Sequence, residues 1–137
     1  MINTIFAEYN TIFSFSMRKS ILYRKIYHKT GESFSYDHNS PFTMPLHAHE
    51  EYELIYIISG NGKEYIADAV MDYHPGDLTL IGRNVAHLHL CNSCMNKSKI
   101  KSSCHILQFP ISIFPSNLSD IQEFYNIRQL LEDSLYG

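Results

Sequence analysis

Pro45-Leu46-His47-Ala48-His49-Glu50-Glu51-Tyr52-Glu53-Leu54-Ile55-Tyr56-Ile57-Ile58-Ser59-Gly60 is the stretch on which the fold turns. It opens with two histidines one residue apart, continues four residues later to Glu53, and runs through an apolar segment that stops at Gly60. Residues two or four apart on an extended strand project to the same side. His47, His49 and Glu53 can therefore aim at one point, with a bend near Glu50-Glu51 altering the details. Two imidazoles and a carboxylate so directed are three candidate metal ligands. They serve equally well as a polar cluster inside a ligand pocket.

Working outward, the chain of 137 residues is sized for one domain. Hydrophobic residues make up 45%, enough for a core, and 10 Tyr with 8 Phe favour strands. The net charge of −3 argues against a nucleic-acid-binding surface, which needs a basic patch. No apolar run approaches the ~20 residues of a membrane helix, and the N-terminus lacks the basic region of a signal peptide. Three cysteines are an odd count that does not suggest a disulfide framework. A cytoplasmic, membrane-free protein is expected.

Upstream, residues 1–20 read as an arm or a first strand, 21–29 as a strand, and 32–38 as a half-buried strand with Phe34 and Tyr36 on its covered face. Downstream, Ser59-Gly60-Asn61-Gly62-Lys63 carries the Asn-Gly signature of a hairpin returning through Lys63–Ala67. Val70–Tyr73 is a short segment, His74-Pro75-Gly76-Asp77 a turn, and Leu78–Ile81 a strand. In Val85–Cys91 the alternation places Val85, His87, His89 and Cys91 on one face. Residues 92–103 read as a loop and Cys104–Pro110 as a last strand. From Ser119 to about Leu135 apolar residues recur at three and four, the pattern of an amphipathic helix with Ser119 as N-cap. The organisation expected is an arm (1–20), a barrel (21–110) and a linker with its helix (111–137).

Four groups of side chains are candidates for function. His47, His49, Glu53 and His87 form a candidate site for a divalent metal, with Zn, Fe, Mn, Ni and Cu all suited to imidazole and carboxylate. Tyr56 and His89 join them as candidate pocket residues, although tyrosines such as Tyr52, Tyr56, Tyr65 and Tyr73 more often pack strands. Cys91 and Cys94 form an isolated C-x-x-C that reads more readily as ordinary buried thiols than as a zinc or redox pair. Phe124, Ile127 and Leu131 form a helix stripe that either covers the barrel or meets a partner. His28, His38 and His74 read as surface or turn residues.

The opening stretch resembles the first cupin motif in full: His47-x-His49, three residues, Glu53, six residues, Gly60. The second cupin motif is kept only at Gly76 and His87, with Gly82, Asn84 and Cys91 standing where Pro, Gly and Asn belong. The resemblance implies a mainly β fold, a cupin-like double-stranded β-helix or jelly-roll barrel with a C-terminal α-helix. It also implies that His47, His49, Glu53 and His87 occupy the metal-ligand positions. Over residues 21–137 the order of features also resembles the N-terminal sensor domain of AraC-type transcription regulators. That resemblance implies a non-catalytic domain that binds a sugar or other small effector, dimerises with its own kind, and meets DNA only through a separate C-terminal domain. The chain would then be a fragment cut where the linker helices begin. The alternative is a stand-alone metal-dependent cupin enzyme, a dioxygenase or an isomerase.

Overall fold

The computed structural model describes residues 21–40, 42–92 and 102–137. The arm expected over 1–20 lies outside the described residues, as does Cys94. Among the described residues nine strands follow one another: β1 (Leu22–Tyr23), β2 (Ser35–Ser40), β3 (His47–Ala48), β4 (Tyr52–Ser59), β5 (Gly62–Ile66), β6 (Ala69–Tyr73), β7 (Leu78–Ile81), β8 (His87–Cys91) and β9 (Ser103–Phe109). They form two sheets, one ordered β1-β3-β8-β5-β6 and the other β2-β9-β4-β7. All pairings are antiparallel except β1 with β3. The cupin-like barrel expected from the sequence is the fold observed.

The two sheets face each other across a core of Ile55, Ile57, Ile66, Tyr73, Ile81, Val85 and Cys104. Alternation along each strand decides which residues enter it. On β4, Glu53, Ile55 and Ile57 point inward and are buried, whereas Tyr56 is 44% exposed on the opposite face. That placement corrects the expectation that Tyr56 lines the pocket: three residues from Glu53 is the wrong parity. A second cluster, Tyr52, Phe109, Leu118 and Leu131, lies on the outer face of the β2-β9-β4-β7 sheet, with Leu54, Leu80, Leu107, Phe114 and Phe124 packed against it.

The segment Gly60-Asn61-Gly62 is not a hairpin. β4 is bonded on both sides, to β7 and to β9, so it has no free edge for β5 to join. The chain instead crosses to the other sheet, where β5 pairs with β6 and β8. Gly60 takes φ +87°, and a Cβ there would meet Ser102 at 2.8 Å. At Gly62 a Cβ would fall 1.9 Å from the Leu90 carbonyl oxygen, so only glycine fits between β5 and β8. The true hairpin joins β5 to β6, with Ala67 at φ +51°.

Three further expectations are corrected. The strand over 21–29 shrinks to Leu22–Tyr23, because β1 meets a partner only along two residues of β3. Phe34 and Tyr36 are exposed, at 49% and 55%, because nothing among the described residues covers that end of the outer sheet face. The helix expected from Ser119 breaks into short 3-10 turns, Leu118–Asp120 and Gln122–Phe124, separated by extended backbone at Ile121. A regular helix, α1, spans only Tyr125–Asp133, and its N-cap is Phe124 rather than Ser119. Three-residue turns share the three-four spacing of a helix, so apolar periodicity alone does not tell them apart. Of the helix stripe, Leu131 is buried and Phe124 packs on the outer cluster, while Ile127 is 40% exposed. Among the described residues no helix is long and apolar enough to cross a membrane.

Candidate metal centre

Short β3 carries His47, and its pairing with β8 places His47 directly opposite His87. His49 follows after one residue, and Glu53 rises from the inward face of β4 in the facing sheet. Four residues from three separated segments thus meet inside the barrel, all buried, with ligand atoms within 4.8 Å of one another. The substituted positions of the second motif do not displace His87. Asn84 supplies the left-handed conformation itself, at φ +60°, and its N–H donates to the His49 carbonyl at 2.7 Å. Asn tolerates that conformation better than other non-glycine residues.

The backbone settles the protonation of each imidazole. His47 Nδ1 donates to the Pro45 carbonyl at 2.8 Å, His49 Nδ1 to that of Glu51 at 3.1 Å, and His87 Nδ1 to that of Val85 at 2.9 Å. A carbonyl only accepts, so each Nδ1 carries the hydrogen and each Nε2 is left with a lone pair or a second proton. Those Nε2 atoms face Glu53: His49 Nε2 lies 2.9 Å from Oε2, and His87 Nε2 lies 3.5 Å from Oε1. His87 Nε2 is buried without a hydrogen-bond partner. A lone pair and a carboxylate oxygen this close repel unless a proton or a cation stands between them. A buried carboxylate ringed by three imidazole nitrogens, one of them without a hydrogen-bond partner, suits a divalent ion.

Ionisation follows the same geometry. Burial alone would push the Glu53 carboxyl up. Hydrogen bonds from His49 and Gln108, with the His87 imidazole close by, outweigh it and hold the group well below the usual carboxylate range. Burial, reinforced by the neighbouring His87, pulls His47 down to about 4, which keeps its imidazole neutral near pH 7. Both groups are therefore in the forms that bind metals.

The sequence reading missed Gln108. It sits on the inward face of β9 opposite Glu53, and its Nε2 donates to Glu53 Oε2 at 2.5 Å. Its signal was only parity: Cys104, Ile106 and Gln108 share a face, and a polar residue among apolar ones on a core strand asks for a partner. Also missed was Glu64, buried on β5, whose carboxylate lies 3.3 Å from His89 Nε2 and accepts from Thr79 Oγ1 at 3.1 Å. His89 itself is buried, stacked on Phe42 with ring centroids 4.5 Å apart, and lies outside the four-residue cluster. It shares with His47, Glu53 and Gln108 the wall of a cavity of about 170 Å³, whose lining also includes Arg24, Asp37 and Phe42. Cys91 and Cys104 are buried.

Residues 38–94 match the family model described as a cupin domain. No curated protein matches the chain. Solved structures similar to it include a cupin 2 conserved barrel domain protein from Salinispora arenicola, 15% identical, covering 75% of this chain and 79% of that one, with a TM-score of 0.44. A cupin protein from Bacteroides fragilis is 15% identical over 61% of this chain and 67% of that one, with a TM-score of 0.44. A protein from Photorhabdus luminescens is 20% identical over 72% of this chain, with a TM-score of 0.40. In that case the match spans 64% of the relative's length. All four clustered donors, His47, His49, Glu53 and His87, fall inside the span that matches the cupin-domain model.

Proposed function

We propose that the domain holds one divalent transition metal through His47, His49, Glu53 and His87, and binds a small-molecule effector in the adjoining cavity without transforming it. The observation that carries this reading is the set of three Nδ1–carbonyl bonds, which turns three Nε2 atoms towards one ionised carboxylate. When bound, such an ion supplies a Lewis-acidic centre for an oxygen or nitrogen donor of the ligand. The chain's own residues do the rest. Gln108 fixes the Glu53 carboxylate, His89 and Phe42 form one wall, and Arg24 and Asp37 offer opposite charges to a polar ligand. The use we assign to this binding is that of the sensing and dimerisation domain of an AraC-type transcription regulator, a role supported by the order of sequence features. DNA contact would belong to a separate domain.

The second reading is a metal-dependent enzyme, a dioxygenase or an isomerase. What favours it is that all four donors are retained and two of them, His47 and Glu53, line the cavity.

Elemental analysis of untagged protein purified without chelators tests the metal. About one transition-metal ion per chain is expected, falling below about a tenth in His87→Ala. Gln108→Leu should weaken binding about 10- to 100-fold, the usual effect of losing an outer-shell partner. Full occupancy in His87→Ala would overturn the site. Incubating metal-loaded protein with small organic acids and sugars separates the two uses: a ligand recovered unchanged supports sensing, and dioxygen-dependent or isomerising turnover supports the enzyme.

A further inference from the structure

The sheet β2-β9-β4-β7 has its metal-facing residues on one side, and a second group of donors stands on the other. The C-terminal segment covers only part of that outer face, through Leu54, Leu80 and Leu107. Beyond it Tyr36, His38, His105 and Tyr56 form a continuous aromatic group open to solvent. β2 is the edge strand, and its register with β9 shifts between Asp37 and Ser40. Tyr36 stands opposite Leu107, and one outward residue further on, His38 comes beside His105. His38 Nδ1 lies 3.0 Å from His105 Nδ1, and the Tyr36 hydroxyl lies 2.7 Å from the same His105 nitrogen.

We propose that His38 and His105 form a second transition-metal site, on the outside of the barrel, with Tyr36 beside them. The two nitrogens belong to different strands, and both Nδ1 atoms are turned to each other rather than to the backbone. With metal–nitrogen bonds of about 2.0–2.1 Å, donors 3.0 Å apart subtend about 90° at the ion. That is a cis pair in a square-planar or octahedral shell, and it is narrower than the tetrahedral arrangement zinc prefers. Ni(II) and Cu(II) accept such a cis pair, with solvent completing the shell and the Tyr36 oxygen beside it. Without metal, the same contact is satisfied by an N–H donating from one ring to the other. Bound metal would clamp the edge strand β2 to β9. Since Asp37, the residue before His38, lines the inner cavity, the clamp would stiffen one wall of the pocket.

Ni(II) is the probe, because it does not oxidise the thiols. Untagged full chain is titrated with Ni(II) by calorimetry, together with His38→Asn, His105→Asn and a control, His74→Asn, which changes an exposed histidine outside the pair. The wild type and the control are expected to take up one Ni(II) more than either His38→Asn or His105→Asn, or to bind the last equivalent at least 10-fold more tightly. The doubly substituted His47→Asn/His87→Asn protein should keep the outer equivalent, and circular dichroism confirms that it has folded. If it has not, the His38 and His105 variants decide alone, since His38 is exposed, His105 is half-buried and neither belongs to the core. Equal uptake by wild type, His38→Asn and His105→Asn, or an equal loss in His74→Asn, would overturn the site.

Discussion

His49 and Glu53 stand 2.9 Å apart inside the barrel, and that contact sets the chemistry of the residues around it. An ionised carboxylate there is sustained only by the donors that face it, which is why Gln108 matters although it holds no ligand position. The same interior acts oppositely on a thiol. Burial pushes Cys104 up to about 12, so at pH 8 almost none of it is thiolate. Native protein treated with iodoacetamide at pH 8 should leave Cys104 unlabelled by peptide mass spectrometry, whereas protein in 6 M guanidinium should label fully. Rapid native labelling would show that β9 opens readily. Tyr56 teaches the limits of residue-level reading. It sits within the key stretch, yet strand parity sends it outward, where its ring stacks near His105 at a centroid distance of 6.2 Å.

At the scale of elements, α1 and the 3-10 turns before it act as a cover for the outer sheet face. Leu131 is the anchor, packed with Tyr52, Phe109 and Leu118, while Ile127 points away from that cluster. Leu131→Ala should cost about 2–4 kcal/mol of stability, because it leaves a cavity among large side chains. Ile127→Ala should stay within about 0.5 kcal/mol, as exposed substitutions do. Urea denaturation of both variants checks the contrast. Equal, negligible effects would mean that the helix is detached in solution, and equal large effects that Ile127 is covered by a second subunit. The Gly82 N–H donates to the Ser134 carbonyl at 3.1 Å, and a Cβ at Gly82 would lie 2.2 Å from that oxygen. The end of the helical segment is thus tied to the turn that precedes β8 and its histidine.

Across the whole molecule, the site makes stability depend on pH. His47 titrates near 4 in the fold and near 6.5 when unfolded. Its folded value is lowered, so its contribution is fully present above pH 6.5 and is lost as pH falls through 4. About 3 kcal/mol is involved, taking 1.36 kcal/mol per pKa unit. Glu53, also lowered, adds to the loss below its ordinary carboxyl range. Metal-free protein should therefore unfold at progressively lower urea concentration between pH 7 and pH 4. Cys104, shifted the other way, is neutral throughout that window, and its contribution is lost only as pH climbs towards 12. A midpoint in urea that does not move between pH 7 and pH 4 would mean that His47 is solvated in the folded protein.

The sequence by itself determined the barrel and the donors. Alternation is a local property, so Val85, His87, His89 and Cys91 could be placed on one face without a structure, and the spacing of His47, His49 and Glu53 marked them as candidate donors, although they converge from two facing sheets rather than along one strand. The two-residue period of a strand explains the inward face of each segment, and the packing of one sheet on the other brings those faces together. What needed the tertiary structure was everything set by partners distant in the chain. Asn-Gly favours a tight turn, but only the pairing of β4 with both β7 and β9 forbids a hairpin there. The three-four spacing after Ser119 fits a long helix, but packing on the sheet broke it into short turns before Tyr125. Gln108 and Glu64 lie far in sequence from the residues they hold, and His38 meets His105 only because β2 runs along the edge beside β9. Local preference is worth tenths of a kcal/mol per residue, whereas burial and unsatisfied polar groups are worth several, so distant contacts prevailed wherever the two disagreed.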